Sequence, residues 1–170
     1  MKKILNILSD EDLNALREKS VDVSFVVLEN GQFSLDQETL TLVQDLKDLV
    51  IKHNGLGMSA IQLGVNKRLF VMRHPYTGNN LLTIVNPKIV ESSEKAKNGI
   101  EGCFSVPLPN RTFALVSRPT QVTVEYHNEF CENKKQVLDG MSARVFQHEL
   151  DHLNGKLMID VDRLNGWSKI

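Results

Sequence analysis

The stretch Asp139-Gly140-Met141-Ser142-Ala143-Arg144-Val145-Phe146-Gln147-His148-Glu149-Leu150-Asp151-His152-Leu153-Asn154-Gly155 decides how this chain is read. Asp139 is a residue type that caps a helix start, and Gly155 one that closes a helix in the left-handed conformation. The sequence therefore predicts a helix over 139–154. Leu150 and Leu153 give it an apolar stripe, and Ala143, Val145 and Phe146 crowd the preceding turn, so most of its surface is expected to be covered. His148 and His152 are four residues apart, stacked on one face about 6 Å along the axis, where both imidazoles can reach one cation. Glu149 lies beside them, where a carboxylate can touch a water on that cation without being a ligand. Two readings stay open from these residues alone. The pair is either a solvated helix face or a buried pair whose ring nitrogens a metal satisfies.

Two histidines do not complete a catalytic site, which usually has three protein ligands and one open position. The 18 residues after His152 contain no His or Glu, only Asp160 and Asp162 among the acids. Upstream, the best third candidate is Cys103, in Glu101-Gly102-Cys103-Phe104-Ser105, where Gly102 lets the backbone approach another element closely. Its other reading is a small buried hydrophobe. Cys131 has only that second reading.

Further out, Ser9-Asp10-Glu11-Asp12 reads as a cap with first-turn acids, predicting a short helix over 11–19. Residues 23–28 are β-rich. Over 34–53, Leu35, Leu42, Leu46, Leu49 and Val50 recur near helical spacing, and Asn54-Gly55 stops that helix. Strands are expected over 69–73, 81–85, 88–92 and 121–126, with a hairpin turn at Gly78-Asn79-Asn80 and a last short strand over 157–161. Strands mixed with two substantial helices, without regular βαβ alternation, indicate an α+β fold. The expected arrangement has antiparallel strands surrounding a central helix, the one that carries both histidines.

With 170 residues and no linker or repeat, the chain is expected to form one catalytic domain, 1–170, with a core that needs no staples. A net charge of −1 gives no footprint for nucleic acid or for an anionic membrane, so neither is expected as a partner. The first residues start like a signal peptide, but Asn6 interrupts the apolar run and Asp10, Glu11 and Asp12 end it. Two cysteines are too few for a disulfide framework. Together these features predict a cytoplasmic protein.

Three ordered segments then resemble one family. Gly55-Leu56-Gly57-Met58-Ser59-Ala60-Ile61-Gln62, Glu101-Gly102-Cys103-Phe104-Ser105 and His148-Glu149-Leu150-Asp151-His152 look like the motifs of peptide deformylases. Asn86-Pro87, Val106-Pro107, Arg118-Pro119, Asp139-Gly140 and Leu153-Asn154-Gly155-Lys156 agree, so the likeness spans roughly residues 40–162. The resemblance implies an enzyme that removes the formyl group from N-formylmethionyl peptides or nascent chains. It implies one divalent metal on Cys103, His148 and His152, natively Fe²⁺ and replaceable by Zn²⁺, Ni²⁺ or Co²⁺. Glu149 would be general base and then acid, with Gln62 and the backbone N–H of Phe104 donating to the carbonyl oxygen. Leu56, Gly57, Met141, Arg144 and Val145 match positions of the substrate pocket, Arg144 through its aliphatic stem. Arg118 and Asp151 would form a supporting ion pair.

The chain also departs from the family. Ser59 stands where most members have Ala, and Phe104 where most have Leu. Leu108-Pro109-Asn110-Arg111-Thr112 reads as a longer loop after the second motif. Only Asn165 to Ile170 follow Leu164, so the family's C-terminal helix is expected to be absent or reduced, which leaves ribosome docking through it an open question; a monomer is expected. Two other functions compete: a metallopeptidase cutting internal amides, which a peptide panel separates, and a metal-holding module without catalysis. Against the second, Glu149 and Gln62 are both present, and neither is needed merely to hold a metal.

Overall fold

The computed structural model describes residues 2–74, 80–107 and 113–162. Ser9 caps α1 (Asp10–Leu16) by accepting from the Asp12 N–H, and Asp36 caps α2 (Gln37–Lys52) by accepting from the Thr39 N–H at 2.6 Å. After α2, Asn54 turns the chain at φ 51°. The strands are β1 (Val26–Val27), β2 (Phe33–Ser34), β3 (Gly57–Ser59), β4 (Leu69–Arg73), β5 (Leu81–Ser92), β6 (Ala96–Glu101), β7 (Ala114–Pro119), β8 (Gln121–His127) and β9 (Asn133–Asp139). The last helix is α3 (Gly140–Leu153). The strands β3-β4-β5-β8-β9 form an antiparallel sheet in that order, while β6 pairs with β7 and β1 with β2, also antiparallel. Mixed helices and antiparallel sheets match the expected α+β class.

β4 shows how the layers are built. Leu69, Phe70, Val71 and Met72 are all buried, because successive side chains point to opposite faces and both faces are covered. Leu69 and Val71 join one core with Leu42, Leu46, Leu49 and Val50 of α2. Phe70 and Met72 join another with Phe146, Leu150 and Leu153 of α3, where the Phe70 and Phe146 rings meet edge-on at 5.2 Å. A third cluster ties Leu16 of α1 to Ala114 and Val116 of β7 and to Leu157 and Met158.

Several expected elements differ. The helix over 11–19 is shorter, and the strand over 23–28 shrinks to Val26–Val27. The Asn86 side chain bonds both the N–H and the C=O of Val23, filling the place of a neighbouring strand. The two strands over 81–85 and 88–92 are one, β5, with a register shift between Val85 and Lys88 where Asn86 adopts φ 51°. Residues 157–161 form no strand. Leu157 and Met158 are buried, and a 3₁₀ turn, Met158–Asp160, forms with the Asp160 carboxylate accepting from the Leu157 N–H. Asp139 is the N-cap residue of α3, without a side-chain hydrogen bond. Gly78 and Asn79, and the loop 108–112, lie outside the described residues. Among the described residues no helix is long and apolar enough to cross a membrane.

Candidate metal centre

The i, i+4 spacing on α3 stacks the rings of His148 and His152 with centroids 5.0 Å apart, both facing the turn that follows β6. Cys103 sits on that turn, with its Sγ 3.2 Å from His152 Nε2. One donor atom from each of Cys103, His148 and His152 lies within 4.8 Å of the others. In a tetrahedral site built with ordinary metal–sulfur and metal–nitrogen bonds, donor atoms stand about 3.3–3.6 Å apart. The trio therefore fits one ion with modest adjustment. Burial alone would push the Cys103 thiol up, but His152 and His148 bring it well below the usual thiol range, which favours the thiolate a metal needs.

Glu101, at the end of β6, holds the other side of His148. Its Oε2 accepts from His148 Nδ1 at 2.9 Å, which leaves the far ring nitrogen to face the cysteine. Arg118 donates to both Glu101 oxygens, at 2.7 and 2.9 Å, and to Asp151 Oδ2 at 2.7 Å. The pairing of Arg118 with Asp151 is as the family resemblance implied. Burial pushes Glu101 up, yet the hydrogen bonds from His148 and Arg118 outweigh it and bring its pKa down to about 2.

Glu149 projects from α3 toward β3 and is buried. Its Oε2 has no hydrogen-bond partner among the described residues. Its other oxygen presses so closely on Gly57 that a side chain there would meet it at 2.7 Å. Burial raises the Glu149 carboxyl above its usual range, and the two imidazoles offset only part of that. An orphaned buried carboxylate oxygen beside a thiol and two imidazoles suits a centre in which an ion and its water occupy the space between.

Gln62 approaches from the opposite wall, on the 3₁₀ turn Ala60–Leu63. Its Oε1 accepts from the Ser59 N–H at 2.9 Å and the Ser59 hydroxyl at 3.1 Å. That fixes the amide so that Nε2 donates to Ser105 Oγ at 3.0 Å and points at Cys103 Sγ at 3.6 Å. The Ser59 hydroxyl thus acts on Gln62.

These residues open into a cleft of about 510 Å³. Leu56, Gly57, Met141, Arg144 and Val145, the positions matched to the substrate pocket, all line it, as does Phe104. The Arg144 guanidinium, beyond its aliphatic stem, is engaged with Glu101 Oε1 at 2.7 Å. Sequence reasoning missed His53, whose ring lies 5.4 Å from that of Phe104, and Ile100 of β6. Their only signal was adjacency to the first and second motifs.

The family profile of polypeptide deformylases matches residues 3–167. A peptide deformylase of Pseudothermotoga lettingae is 37% identical over 161 residues, covering 95% of this chain and 83% of that one. The solved peptide deformylase of Thermotoga maritima is similar with a TM-score of 0.80 at 30% identity, covering 95% of this chain and 97% of that one. A Met-Ala-Ser-bound class I type b peptide deformylase of Acinetobacter baumannii gives 0.78 at 28% identity, with 95% and 98% covered.

Proposed function

Because this chain belongs to the polypeptide deformylase family, we propose that Cys103, His148 and His152 hold its one divalent metal ion and that Glu149 moves the proton in its reaction. The reaction is removal of the N-terminal formyl group from nascent peptides. The observation that carries the site reading is the convergence of one sulfur and two ring nitrogens within 4.8 Å beside the unpartnered Oε2 of Glu149. Fe²⁺ is the ion we assign, and the mixed thiolate–imidazole set also accepts Zn²⁺, Ni²⁺ or Co²⁺.

When bound, the ion supplies Lewis acidity, polarising the formyl carbonyl and easing deprotonation of water near neutral pH. Glu149 accepts that proton as the water oxygen bonds to the formyl carbon, and its raised pKa suits a group that must both take and return a proton. Gln62 Nε2 and the Phe104 N–H donate to the carbonyl oxygen as charge builds there. Glu149 then delivers the proton to the amine nitrogen as the C–N bond breaks, leaving formate and a free N-terminus. Leu56, Gly57, Met141, Val145 and the stem of Arg144 receive the methionine side chain. The Met-Ala-Ser found in the Acinetobacter baumannii relative supports a peptide in this cleft. We read α3 as the element around which the strands are arranged, which its packing on β3, β4, β7, β8 and β9 supports. Residues 1–170 are read as one catalytic domain working in the cytoplasm.

The test is anaerobic purification with iron, followed by formate release from formyl-Met-Ala-Ser against the acetylated peptide. Release from the formyl peptide alone is expected, and none from either would sink the reading. Glu149→Gln should keep its metal and lose activity by about 10²–10⁴-fold. Equal turnover in that variant would remove Glu149 from the mechanism.

A further inference from the structure

Arg144, in the first turns of α3, makes three contacts that its place in the cleft wall does not require. Nη1 donates to Glu101 Oε1 at 2.7 Å and to the Val116 carbonyl at 2.9 Å, and Nη2 donates to the Lys97 carbonyl at 2.7 Å. Lys97 and Glu101 belong to β6 and Val116 to β7, so one guanidinium grips both strands of the hairpin. Between them lies Gly99, paired with Val116 in the register. A Cβ at Gly99 would meet Arg144 Cζ at 2.7 Å and its Nε and Nη2 at 2.8 Å. Gly99 does not have a positive φ, so its backbone would admit alanine, and alanine is no worse than glycine in a strand. The need for glycine there traces to the guanidinium lying across it. That group ends a flexible side chain, but three hydrogen bonds fix it and its side chain is only 12% exposed. It cannot yield to a Cβ without giving some of them up.

We propose that Arg144 is a positioning residue that latches the β6–β7 hairpin onto α3 across Gly99. It thereby sets both the cleft wall at Ile100 and the Glu101 carboxylate that orients His148. The inference rests on the deformylase reading for its kinetic consequences, but the latch itself is a property of the chain. If it holds, Arg144 and Gly99 form one unit. Removing the guanidinium and crowding it are the same injury, and the second adds nothing after the first.

A double-mutant cycle of Gly99→Ala and Arg144→Met tests this, since methionine keeps the apolar stem and removes only the fork. Three quantities are read: KM and kcat for formyl-Met-Ala-Ser, and Co²⁺ affinity of the apoprotein. Each single variant should raise KM about tenfold with kcat changed far less, and should weaken Co²⁺ binding by roughly tenfold. The double variant should be no more than about twofold worse than Arg144→Met alone. Penalties that multiply, or a Gly99→Ala protein with wild-type KM and Co²⁺ affinity, overturn the latch. Should Arg144→Met fail to fold, Arg144→Lys takes its place with the same two outcomes. A wild-type protein that binds Co²⁺ but releases no formate would fail the deformylase reading instead, and the Co²⁺ cycle would still decide the latch.

Discussion

Ser59 illustrates how much a single hydroxyl is asked to do here. Its N–H and its side chain both hold Gln62 Oε1, so the amide that points at Cys103 is fixed from behind by two donors. In Ser59→Ala the backbone donor survives, and the lost hydrogen bond contributes about 0.5–1.5 kcal/mol. Since Nε2 is also held by Ser105, kcat is expected to fall by no more than about tenfold, with metal content unchanged. Steady-state kinetics beside metal analysis would check this, and a loss of about 10²–10³, the size expected for an oxyanion donor itself, would show that Gln62 depends on the hydroxyl outright. The histidine pair was legible at this scale because helical spacing alone brings His148 and His152 together. Cys103 was named only as the best remaining candidate and through the family resemblance, since its approach depends on how a distant hairpin packs against α3. Arg144 was half legible: its stem was read as wall, but its guanidinium finds partners on two strands that the sequence did not announce.

At the scale of elements, legibility followed burial. α2 places Leu42, Val43, Leu46, Leu49 and Val50 against β4, so its period reads directly from the sequence, and its cap at Asp36 is the local signal for where it starts. β9 reads Asn-Lys-Lys-Gln-Val-Leu-Asp, buries only Leu138 and lies at the sheet edge, so no apolar alternation marks it. β6 is likewise polar, interrupted by Gly99, and held by Arg144 and by pairing with β7. Such strands are made by their neighbours and leave little trace in their own residues. The contrast with α2 can be tested at its cap. Asp36→Ala removes the acceptor of the Thr39 N–H and should cost about 1 kcal/mol. For a chain of this size that lowers the thermal midpoint by about 2–4 °C, with no change in kcat, because no residue of α2 lines the cleft among the described residues. A drop in kcat at unchanged stability would contradict this division of labour.

The described residues are held together by polar contacts as well as by three apolar cores, and one of those polar contacts sets a pH dependence separable from the candidate metal centre. Glu129 follows β8 and accepts from Lys47 of α2 and from Thr83 of β5, at 2.7 Å for the latter, so a single carboxylate joins helix, sheet and turn. Burial pushes its pKa up, but the bonds from Lys47 and Thr83 outweigh that and hold it below the ordinary glutamate value of 4.5. The unfolded chain therefore binds more protons than the folded one in the window beneath 4.5, and stability rises with pH there. The contribution is complete above the unfolded value and is lost as pH falls through the lower, folded one. In Glu129→Gln the ion pair with Lys47 is gone at every pH. Thermal midpoints of apoprotein should thus differ between wild type and variant by a constant amount from pH 6 to 8, then converge as pH drops below about 4.5. Because Glu129 contacts no ligand residue among the described residues, the gap should be the same with Co²⁺ bound. A gap that widens toward acid would mean that the carboxylate is held in its protonated form by the fold, reversing the sign argued from its two donors.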